Sequence, residues 1–431
     1  MSIDFAKDAG EASVAVQPQT SLFRLILATS IGNALEWYDL IVYGYFAGPL
    51  SRQFFPTRDH TVSLLLTLGT FALSYLARPV GALVLGSYGD RRGRKASLML
   101  SIAMMTLGTG LIAFMPPYAS IGLFAPIAVF AARVLQGFSA GGEFGTSTAF
   151  LTEHAPQRSG FMSSWQFSSQ GASVLLASAI GAVVTSTLTS AQIDAWAWRI
   201  PFLFGLLIGP IGFYIRRHVD ETPEFERDRA KGSPIREVLA TQKERLLVSI
   251  GALVLTTSAN YMILYMPTYA TRQLGLPPSY GFIGTLATGA VITVLTPLVG
   301  HWSDKVGRLR IMLGAAVLFM LTIFPAFLVM NAHASLLTLI APMIWIGILK
   351  ATYFAPIPAL MAGIFPTRTR ATGMAFGYNV GVTVFGGFTP VAVASLIALT
   401  HNNLAPGVYL MLAAVISLFT LIWARLRLSV R

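Results

Sequence analysis

The sequence predicts an all-α polytopic membrane protein, with twelve transmembrane helices in two pseudo-symmetric halves of six. The first observation is composition: 54% of the 431 residues are hydrophobic and 11% are charged, whereas about a quarter of an average soluble domain is charged. Several apolar runs also reach the roughly 20 residues that are needed to cross a bilayer. The second observation is a motif at Gly86–Lys95 that recurs 214 residues later, after Gly300. Repetition at half the chain length is typical of transporters built from two parallel halves.

The repeated motif lies between two apolar runs in each half. Its first copy contains Gly86, Asp90, Arg91, Gly93 and Arg94. Its second copy contains Gly300, Asp304, Lys305, Gly307 and Arg308. A pair of solvated basic loops would explain the cations, but it would not explain two glycines and an aspartate at a fixed spacing. We therefore predict that Asp90 and Asp304 cap or pair with neighbouring helix ends and close one side of the protein. Anchoring of the cations at the membrane surface is the alternative.

Apolar runs and loop signals together define the twelve spans. The predicted spans are residues 23–47, 61–85, 96–115, 121–150, 160–188, 199–215, 246–271, 278–299, 310–330, 336–363, 372–399 and 406–425. The predicted domains are a disordered tail at 1–20, six-helix bundles at 21–215 and 246–431, and a charged cytoplasmic linker at 216–245. Residues 1–20 have no apolar stretch, so we do not expect a cleaved signal peptide.

The distribution of positive charge predicts the orientation in the membrane. If the N-terminus is cytoplasmic, 23 of the 30 lysines and arginines lie on inside-facing segments and 4 lie on outside-facing ones. This asymmetry places both termini inside. The net charge of +12 is therefore explained by topology, and we expect the lipid bilayer, not nucleic acid, as the partner.

Six ionisable residues remain inside the predicted spans. They are Glu36, Asp39, Arg78, Arg133, Glu143 and Lys350. Because an ionisable group is costly in hydrocarbon, these residues are expected to face a cavity or a partner and to carry the chemistry of the protein.

Several kinds of chemistry are not expected. The chain has no cysteine, no Gly-x-x-x-x-Gly-Lys-Ser/Thr and no His-Glu-x-x-His motif, which argues against thiol chemistry, an ATP-driven pump and a zinc protease. The six histidines fall in loops or near span ends, so proton coupling is assigned to carboxylates. A membrane enzyme would need a nucleophile–base pair, and the sequence shows none. A sensor would need a soluble signalling domain, and the sequence shows none of these either. We expect no metal and no cofactor, with a proton gradient as the energy source.

The motifs resemble those of a known superfamily. Gly86–Lys95 resembles the signature loop of the major facilitator superfamily, and Arg133-x-x-Gln136-Gly137 resembles its fourth-helix motif. Within the major facilitator superfamily, the metabolite–proton symporter family has four further segments that are similar to segments of this sequence. These segments are Glu36–Asp39, Arg78–Gly81, Gln136–Glu143 and Glu221–Phe225. The resemblance covers residues 20–425, and Phe385–Pro390 is similar to the citrate and tricarballylate branch.

The resemblance implies a major facilitator fold in a bacterial inner membrane and proton-driven uptake of a small organic anion, such as citrate or tricarballylate. Other members carry 2-oxoglutarate, shikimate, or proline and betaine, so symport of a zwitterion or another metabolite is the alternative. Osmosensing members carry a long charged C-terminal extension, whereas this chain stops at Arg431, which favours the organic anion. We expect a monomer.

Individual residues receive the following expectations. Glu36 and Asp39 share a helix face, where repulsion between two carboxylates in a low dielectric favours protonation of one of them. Either could carry the proton, and Glu143 is the third candidate. Arg133, near the midplane, is expected to alternate between a carboxylate and the substrate, although a permanent ion pair is the alternative. Lys350, the one charge in the second-half spans, is expected to bind a substrate carboxylate.

Two further groups complete the predicted site. Arg78 is expected to pair with Glu143 as a gate. Neutral hydrogen-bonding residues at similar depth are candidates for substrate binding, although such residues also serve as helix contacts. They are Gln136, Gln166, Ser169, Gln170, Asn260, Tyr261, Tyr265, Tyr353, Tyr378 and Asn379.

Overall fold

The computed structural model describes residues 22–92, 94–141, 144, 148, 151–152, 156–217, 234–366 and 369–428. These residues form helices and short connections, and no β-strand occurs among them.

Within the described residues, twelve helices follow one another, several of them in two segments. The first half contains α1 (Leu22–Tyr45, continued by Ala47–Phe54), α2 (His60–Tyr75, continued by Ala77–Arg92), α3 (Arg94–Ala113), α4 (Phe124–Ser139), α5 (Ser159–Thr187) and α6 (Ile200–Arg217). The second half contains α7 (Lys243–Arg272), α8 (Pro278–Val306), α9 (Arg308–Ala332), α10 (Leu336–Phe354, continued by Ile357–Ile364), α11 (Arg370–Gly381, a π-helical turn at Val382–Gly387, then Thr389–Thr400) and α12 (Ala405–Arg427). Short helices at Tyr118–Ile121, Pro156–Arg158, Ser190–Ala195, Ala197–Arg199 and Pro234–Thr241 lie in the connections.

Most of these helices are long and apolar enough to cross a membrane. Among the described residues, eight helices meet this condition by length and composition, namely α2, α5 and α7 to α12. Shorter apolar helices at Met99–Ala113, Phe124–Ser139 and Ala197–Leu207 correspond to α3, α4 and α6. Together with α1 they give the expected twelve, and the prediction of a two-half, twelve-helix membrane protein is confirmed.

Helix boundaries follow local chemistry. The Asp59 carboxylate accepts from the backbone N–H of Thr61 and caps α2, and Ser335 forms a capping box with Thr338 at the start of α10. Such caps satisfy backbone donors that have no partner inside the helix. In α11 the π-helical turn precedes Pro390, which lacks a backbone N–H. A proline cannot donate to the preceding turn, so regular α-helical bonding is interrupted there.

The signature segments were expected to be loops, and this expectation is wrong. Residues 86–92 continue α2 and residues 300–306 continue α8, so each segment is largely helical. In the second copy the reversal occurs at Gly307, whose φ of +105° is accessible to glycine and strained for other residues. Gly93 holds the same register but lies outside the described residues. Within the predicted linker at 216–245, α6 ends at Arg217, Pro234–Thr241 is helical and α7 begins at Lys243, while residues 218–233 lie outside the described residues.

The two halves contact each other most closely along α5 and α8. A Cβ added to Gly171 would lie 2.8 Å from the backbone nitrogen of Thr293, and one added to Gly289 would lie 2.6 Å from that of Leu175. Small residues at these crossings let the two backbones approach, as is common between membrane helices. Of the ionisable residues in the spans, the structure describes Glu36, Asp39, Arg78, Arg133 and Lys350, and all five are buried.

Candidate functional site

Arg133 of α4 is fully buried, with 0% of its surface exposed. Its guanidinium carbon lies 4.5 Å from the centroid of the Tyr43 ring and 4.9 Å from that of Phe71, and its Nη1 donates to Oε1 of Gln136 at 2.7 Å. Within the described residues it forms no ion pair, and its Nε and Nη2 have no hydrogen-bond partner. A buried cation of this kind is stabilised by aromatic faces but retains unused donors, which suits recognition of an anion.

Asp39 of α1 is connected to this cation through two neutral side chains. Its Oδ2 accepts from the hydroxyl of Thr109 in α3, and that hydroxyl accepts from Nε2 of Gln136 at 2.9 Å. Asp39 is 6% exposed. Among the described residues no cation touches its carboxylate directly.

Glu36, one turn earlier on α1, has a different environment. Its Oε1 accepts from Nη2 of Arg78 in α2 at 3.0 Å, and both side chains are buried. The guanidinium carbon of Arg78 also lies 5.1 Å from the centroid of Tyr75 and 5.8 Å from that of Trp37. Since this carboxylate already compensates a buried cation, a proton on Glu36 would leave Arg78 uncompensated. The two acids that share a helix face therefore have separate partners.

Glu143, the expected partner of Arg78, lies outside the described residues. Arg78 has two donors, Nε and Nη1, for which the described residues offer no partner. The partners that the described residues show for Arg78 are the carboxylate of Glu36 at 3.0 Å and the carbonyl oxygen of Ala140 at 3.4 Å.

Lys350 of α10 is the buried cation of the second half. Its Nζ donates to Oδ1 of Asn260 in α7 at 2.7 Å and lies 4.8 Å from the centroid of Phe354. No carboxylate of the described residues lies within ion-pair distance of it. An ammonium group has three donors, so Lys350 retains capacity for a further acceptor.

The predicted amides supply further buried polar atoms. Both side-chain amide atoms of Gln166, Oε1 of Gln170 and Oδ1 of Asn379 are buried and have no partner among the described residues. Nε2 of Gln170 reaches the hydroxyl of Tyr378 at 3.4 Å, across the boundary between the halves. Buried polar atoms without partners are rare in native proteins and call for a ligand or water.

Aromatic side chains from both halves stack around these groups. The Phe354 ring, next to Lys350, stacks on Phe167 of α5, with ring centroids 3.3 Å apart. Phe144 stacks on Tyr378 with centroids 3.6 Å apart. Phe144 also stacks on Phe167, with centroids 5.9 Å apart. The four rings therefore form a continuous row from Phe354 beside Lys350, through α5, to Tyr378 of α11.

Tyr75 and Tyr261 form a second contact between the halves. The hydroxyl of Tyr261 in α7 donates to that of Tyr75 in α2 at 2.7 Å, and Thr383 in the π-helical turn donates to the carbonyl of Tyr75 at 3.0 Å. Phe71 connects this contact to Arg133, because its ring centroid lies 5.0 Å from that of Tyr75.

The second signature segment connects the halves near one face of the protein. The Asp304 carboxylate accepts from the backbone N–H groups of Gly160 at 2.9 Å and Phe161 at 3.0 Å, in the first turn of α5. Arg308 donates to Asp304 at 3.4 Å and also to the hydroxyl of Ser159. A carboxylate at a helix N-terminus satisfies free donors and interacts favourably with the helix dipole. In the first copy, Gly86, Asp90, Arg91 and Arg94 are described only as helix backbone, so no such contact is described there.

Two further predicted residues make hydrogen bonds within a single half. Tyr353 donates to the carbonyl of Ala252 at 2.8 Å, inside the second half. Ser169 accepts from Nδ2 of Asn33 at 2.8 Å, inside the first half. Among the described residues, no group of three or more His, Cys, Asp or Glu is placed to hold a metal ion.

Sequence reasoning missed several residues that touch the buried charges. They are Tyr43, Phe71, Tyr75 and Thr109. A neutral threonine or an aromatic residue in an apolar span has no distinguishing signal, because such residues fill membrane helices generally. The contacts of Tyr43, Phe71 and Thr109 could have been anticipated only from helix pairing, since each lies on a different helix from the charge that it contacts, whereas Tyr75 lies three residues before Arg78 on α2.

The arrangement of two six-helix halves with buried charges between helices defines a secondary transporter of the major facilitator class. The chain matches the Sugar (and other) transporter family over residues 25–249 and 229–426. It therefore belongs to this family of the major facilitator superfamily, and is a multi-pass membrane transporter, not an enzyme.

Comparison with individual proteins shows which transporters this chain is similar to. The chain is 37% identical to a citrate–proton symporter of Klebsiella pneumoniae, over 91% of this chain and 89% of that protein. It is 33% identical to the proline/betaine transporter of Escherichia coli K12, over 93% of this chain and 82% of that protein. Among solved structures, the fold is similar to that of a D-xylose–proton symporter, with a TM-score of 0.75, 17% identity and coverage of 92% and 97% of the two chains. The predicted resemblance to metabolite–proton symporters is confirmed.

Proposed function

We propose that this protein is a proton-driven symporter that takes up a small organic anion, a di- or tricarboxylate such as citrate, by alternating access. The observation that carries the proposal is the pair of buried cations, Arg133 in the first half and Lys350 in the second, that have no carboxylate partner among the described residues. Two fixed positive charges without partners are energetically costly. A ligand with several carboxylates compensates both of them at once. The citrate–proton symporters among the relatives support the same substrate class.

The proposed substrate site lies between the halves. Arg133 offers Nε and Nη2, Lys350 offers its remaining donors, and Gln166 offers an unpartnered amide nitrogen. Charge-assisted hydrogen bonds to carboxylates are stronger than neutral ones, and an arginine is suited to bidentate binding. The amide oxygens of Gln170 and Asn379 complement a hydroxyl donor, which citrate carries beside its carboxylates.

The proposed proton carrier is Asp39. It is buried and is held by a hydroxyl instead of a cation, whereas Glu36 compensates Arg78. A carboxylate that compensates a buried cation resists protonation, and a carboxylate without one accepts a proton more readily. Electrostatic linkage then couples the two ligands: anion binding beside Arg133 reduces the attraction of Arg133 for a negative Asp39, so each ligand favours the other.

Alternating access requires the halves, proposed as 21–215 and 246–431, to separate at one face at a time. We assign Asp304 and Arg308 to the inward face, in a bacterial inner membrane with both termini in the cytoplasm. At the opposite face, Arg272 donates to the carbonyl of His60 at 3.3 Å. Arg272 and Arg52, which pairs with Asp194 at 2.6 Å, line a cavity of about 120 Å³ there, and Arg272 offers an incoming anion a positive charge.

Uptake by proteoliposomes tests this function. Radiolabelled citrate should accumulate when an inward proton gradient is imposed, and a protonophore should abolish accumulation. Excess tricarballylate should compete, and excess proline or betaine should not. Accumulation that survives a protonophore and requires sodium would overturn the coupling, and absence of any carboxylate uptake would overturn the substrate class.

Symport of a zwitterion is the second candidate, because the proline/betaine transporters are also close relatives. A zwitterion needs an anionic contact beside a cationic one, and the described residues supply Glu36 near Arg78. Competition by betaine in the same assay, without competition by tricarballylate, would favour this candidate.

A further inference from the structure

The hydroxyl of Thr109 lies between the buried acid and the buried cation of the first half. Three groups surround its oxygen: Nε2 of Gln136 at 2.9 Å, the carbonyl oxygen of Met105 at 3.0 Å, and Oδ2 of Asp39. A hydroxyl has one proton to donate and two lone pairs to accept with. It therefore cannot donate to Met105 and to Asp39 at the same time.

The neighbouring groups fix the direction of each bond. Because a guanidinium has donors only, the atom of Gln136 that faces Nη1 of Arg133 at 2.7 Å must be the amide oxygen. The amide nitrogen then faces Thr109 and donates to it. Thr109 thus always accepts from Gln136, and its own proton is free to point to either Asp39 or Met105.

We propose that Thr109 and Gln136 are positioning residues that transmit the protonation state of Asp39 to Arg133. When Asp39 is ionised, Thr109 donates to the carboxylate. When Asp39 has taken up a proton from solvent, the proton stays on the carboxyl group, which donates to Thr109, and Thr109 turns its own proton to the carbonyl of Met105. Every group in this chain of hydrogen bonds is satisfied in both states, and no heavy atom has to move.

Two glycines make room for these residues. A Cβ added to Gly205 of α6 would lie 2.4 Å from Oδ1 of Asp39, and one added to Gly108 of α3 would lie 2.6 Å from Cγ of Gln136. Both distances are too short for real contacts, so larger residues at these positions would displace Asp39 or Gln136.

The sign of the effect follows from polarisation along the chain. An ionised Asp39 polarises Thr109, Thr109 polarises the amide of Gln136, and the amide oxygen holds Arg133 more strongly. Protonation of Asp39 weakens this hold and releases Arg133 for an anion. Among the described residues, the charged or titratable groups facing Asp39 are Arg133 of α4 and Tyr38 of α1, while α3 and α6 present Thr109 and Gly205. No other charge is needed for the coupling. This inference rests on the proposed function, because it assumes that an anion binds to Arg133.

The test is the dependence of the KM for citrate on external pH in three variants. T109V removes the hydroxyl with almost no change in volume, T109S retains the hydroxyl, and T106V makes the same change one turn earlier on α3. In the wild type, T109S and T106V, KM should fall as the pH is lowered from neutral to mildly acidic. In T109V, the fold-change in KM between neutral and mildly acidic pH should be smaller by about tenfold, as expected for the loss of a hydrogen bond to a charged group. Protonation of citrate itself is the same for all variants and cancels in the comparison.

Thermal unfolding of each variant in detergent reports whether it is folded, and T109A replaces T109V if the valine variant is unstable. A pH dependence of KM in folded T109V or T109A equal to that of the wild type would overturn the proposal. Loss of the dependence in T109S would also overturn it, because the hydroxyl would then not be the determinant. Failure of the wild type to transport any carboxylate would instead reject the proposed function.

Discussion

Arg78 donates through Nη2 to Oε1 of Glu36 at 3.0 Å, and this ion pair joins α2 to α1 in the interior of the first half. The two side chains are 2% and 7% exposed. The pair uses one of the two membrane carboxylates that the structure describes and leaves Asp39 without a cation in contact. The proposed structural role of Glu36 and the proposed titrating role of Asp39 therefore fall on residues three positions apart on one helix.

The first prediction follows from this pair. Glu36→Gln should destabilise the protein by about 3–5 kcal/mol, because it leaves the buried guanidinium of Arg78 without its compensating charge. The double variant E36Q/R78Q should be less destabilised than the sum of the single variants, since it removes both charges. Thermal or denaturant unfolding in detergent measures both effects. Equal stability of E36Q and the wild type would show that another group compensates Arg78.

The fold was predictable from the sequence because membrane helices are specified by composition. Twenty apolar residues in a row leave few alternatives in a bilayer, so the spans and the two halves follow directly. Interruptions of the helices were not predictable in detail. The break at Leu76 and the π-helical turn at Val382–Gly387 depend on packing against neighbouring helices as well as on glycine and proline.

The candidate site was predictable only in part. Buried charges are conspicuous in apolar spans, so Asp39, Arg133 and Lys350 could be selected from the sequence alone. The pairing of one buried charge with another could not be predicted. Glu36 and Arg78 are 42 residues apart in the sequence, and only the packing of α1 on α2 brings them together. Thr109 could not be selected either, since its role comes from the oxygen and nitrogen atoms that surround it.

The second prediction concerns the cation of the second half. Lys350→Ala should weaken citrate binding by about 2 kcal/mol or more, or roughly 30-fold, as for loss of one partner of a desolvated charge pair. Stability should be unchanged or higher, because a buried cation without a carboxylate partner is removed. The citrate-induced shift in Tm measures binding. Lys243→Ala, an exposed lysine in the same half, is the matched control, and a wild-type shift in K350A would exclude Lys350 from the site.

The third prediction concerns the contact of Asp304 with α5. Asp304→Asn should weaken the two hydrogen bonds to Gly160 and Phe161 and favour separation of α5 from α8, by about tenfold in the conformational equilibrium. The natural chain contains no cysteine, so a single cysteine in place of buried Ser164, opposite Gly300, reports on separation through its rate of maleimide labelling. Labelling should accelerate in D304N.

Asp59→Asn is the control for that experiment, because the Asp59 carboxylate also caps a helix and, among the described residues, makes its side-chain hydrogen bond to Thr61 in its own half. An unchanged labelling rate in D304N, or an equal acceleration in D59N, would mean that the Asp304 contact does not hold the halves together.

The last prediction divides proton coupling from substrate binding. Asp39→Asn cannot take up and release a proton, but it keeps a side chain of the same shape beside Thr109. Because net uptake by a symporter moves a proton with each substrate, D39N should fail to accumulate citrate under a proton gradient. Exchange of external labelled citrate for internal citrate should persist, since it needs no net movement of protons. Both are measured on the same proteoliposomes, with and without citrate inside.

The two activities separate the possible outcomes. Loss of accumulation together with loss of exchange would indicate that Asp39 is needed for substrate binding or for the conformational change itself. Retention of accumulation would move the coupling acid elsewhere, and Glu143 would become the candidate, because Glu36 is occupied by Arg78. Loss of accumulation alone assigns the proton to Asp39. Arg133 is uncompensated once Asp39 is neutral, so the amide should also lower the KM for exchange near neutral pH, as a permanently protonated Asp39 would.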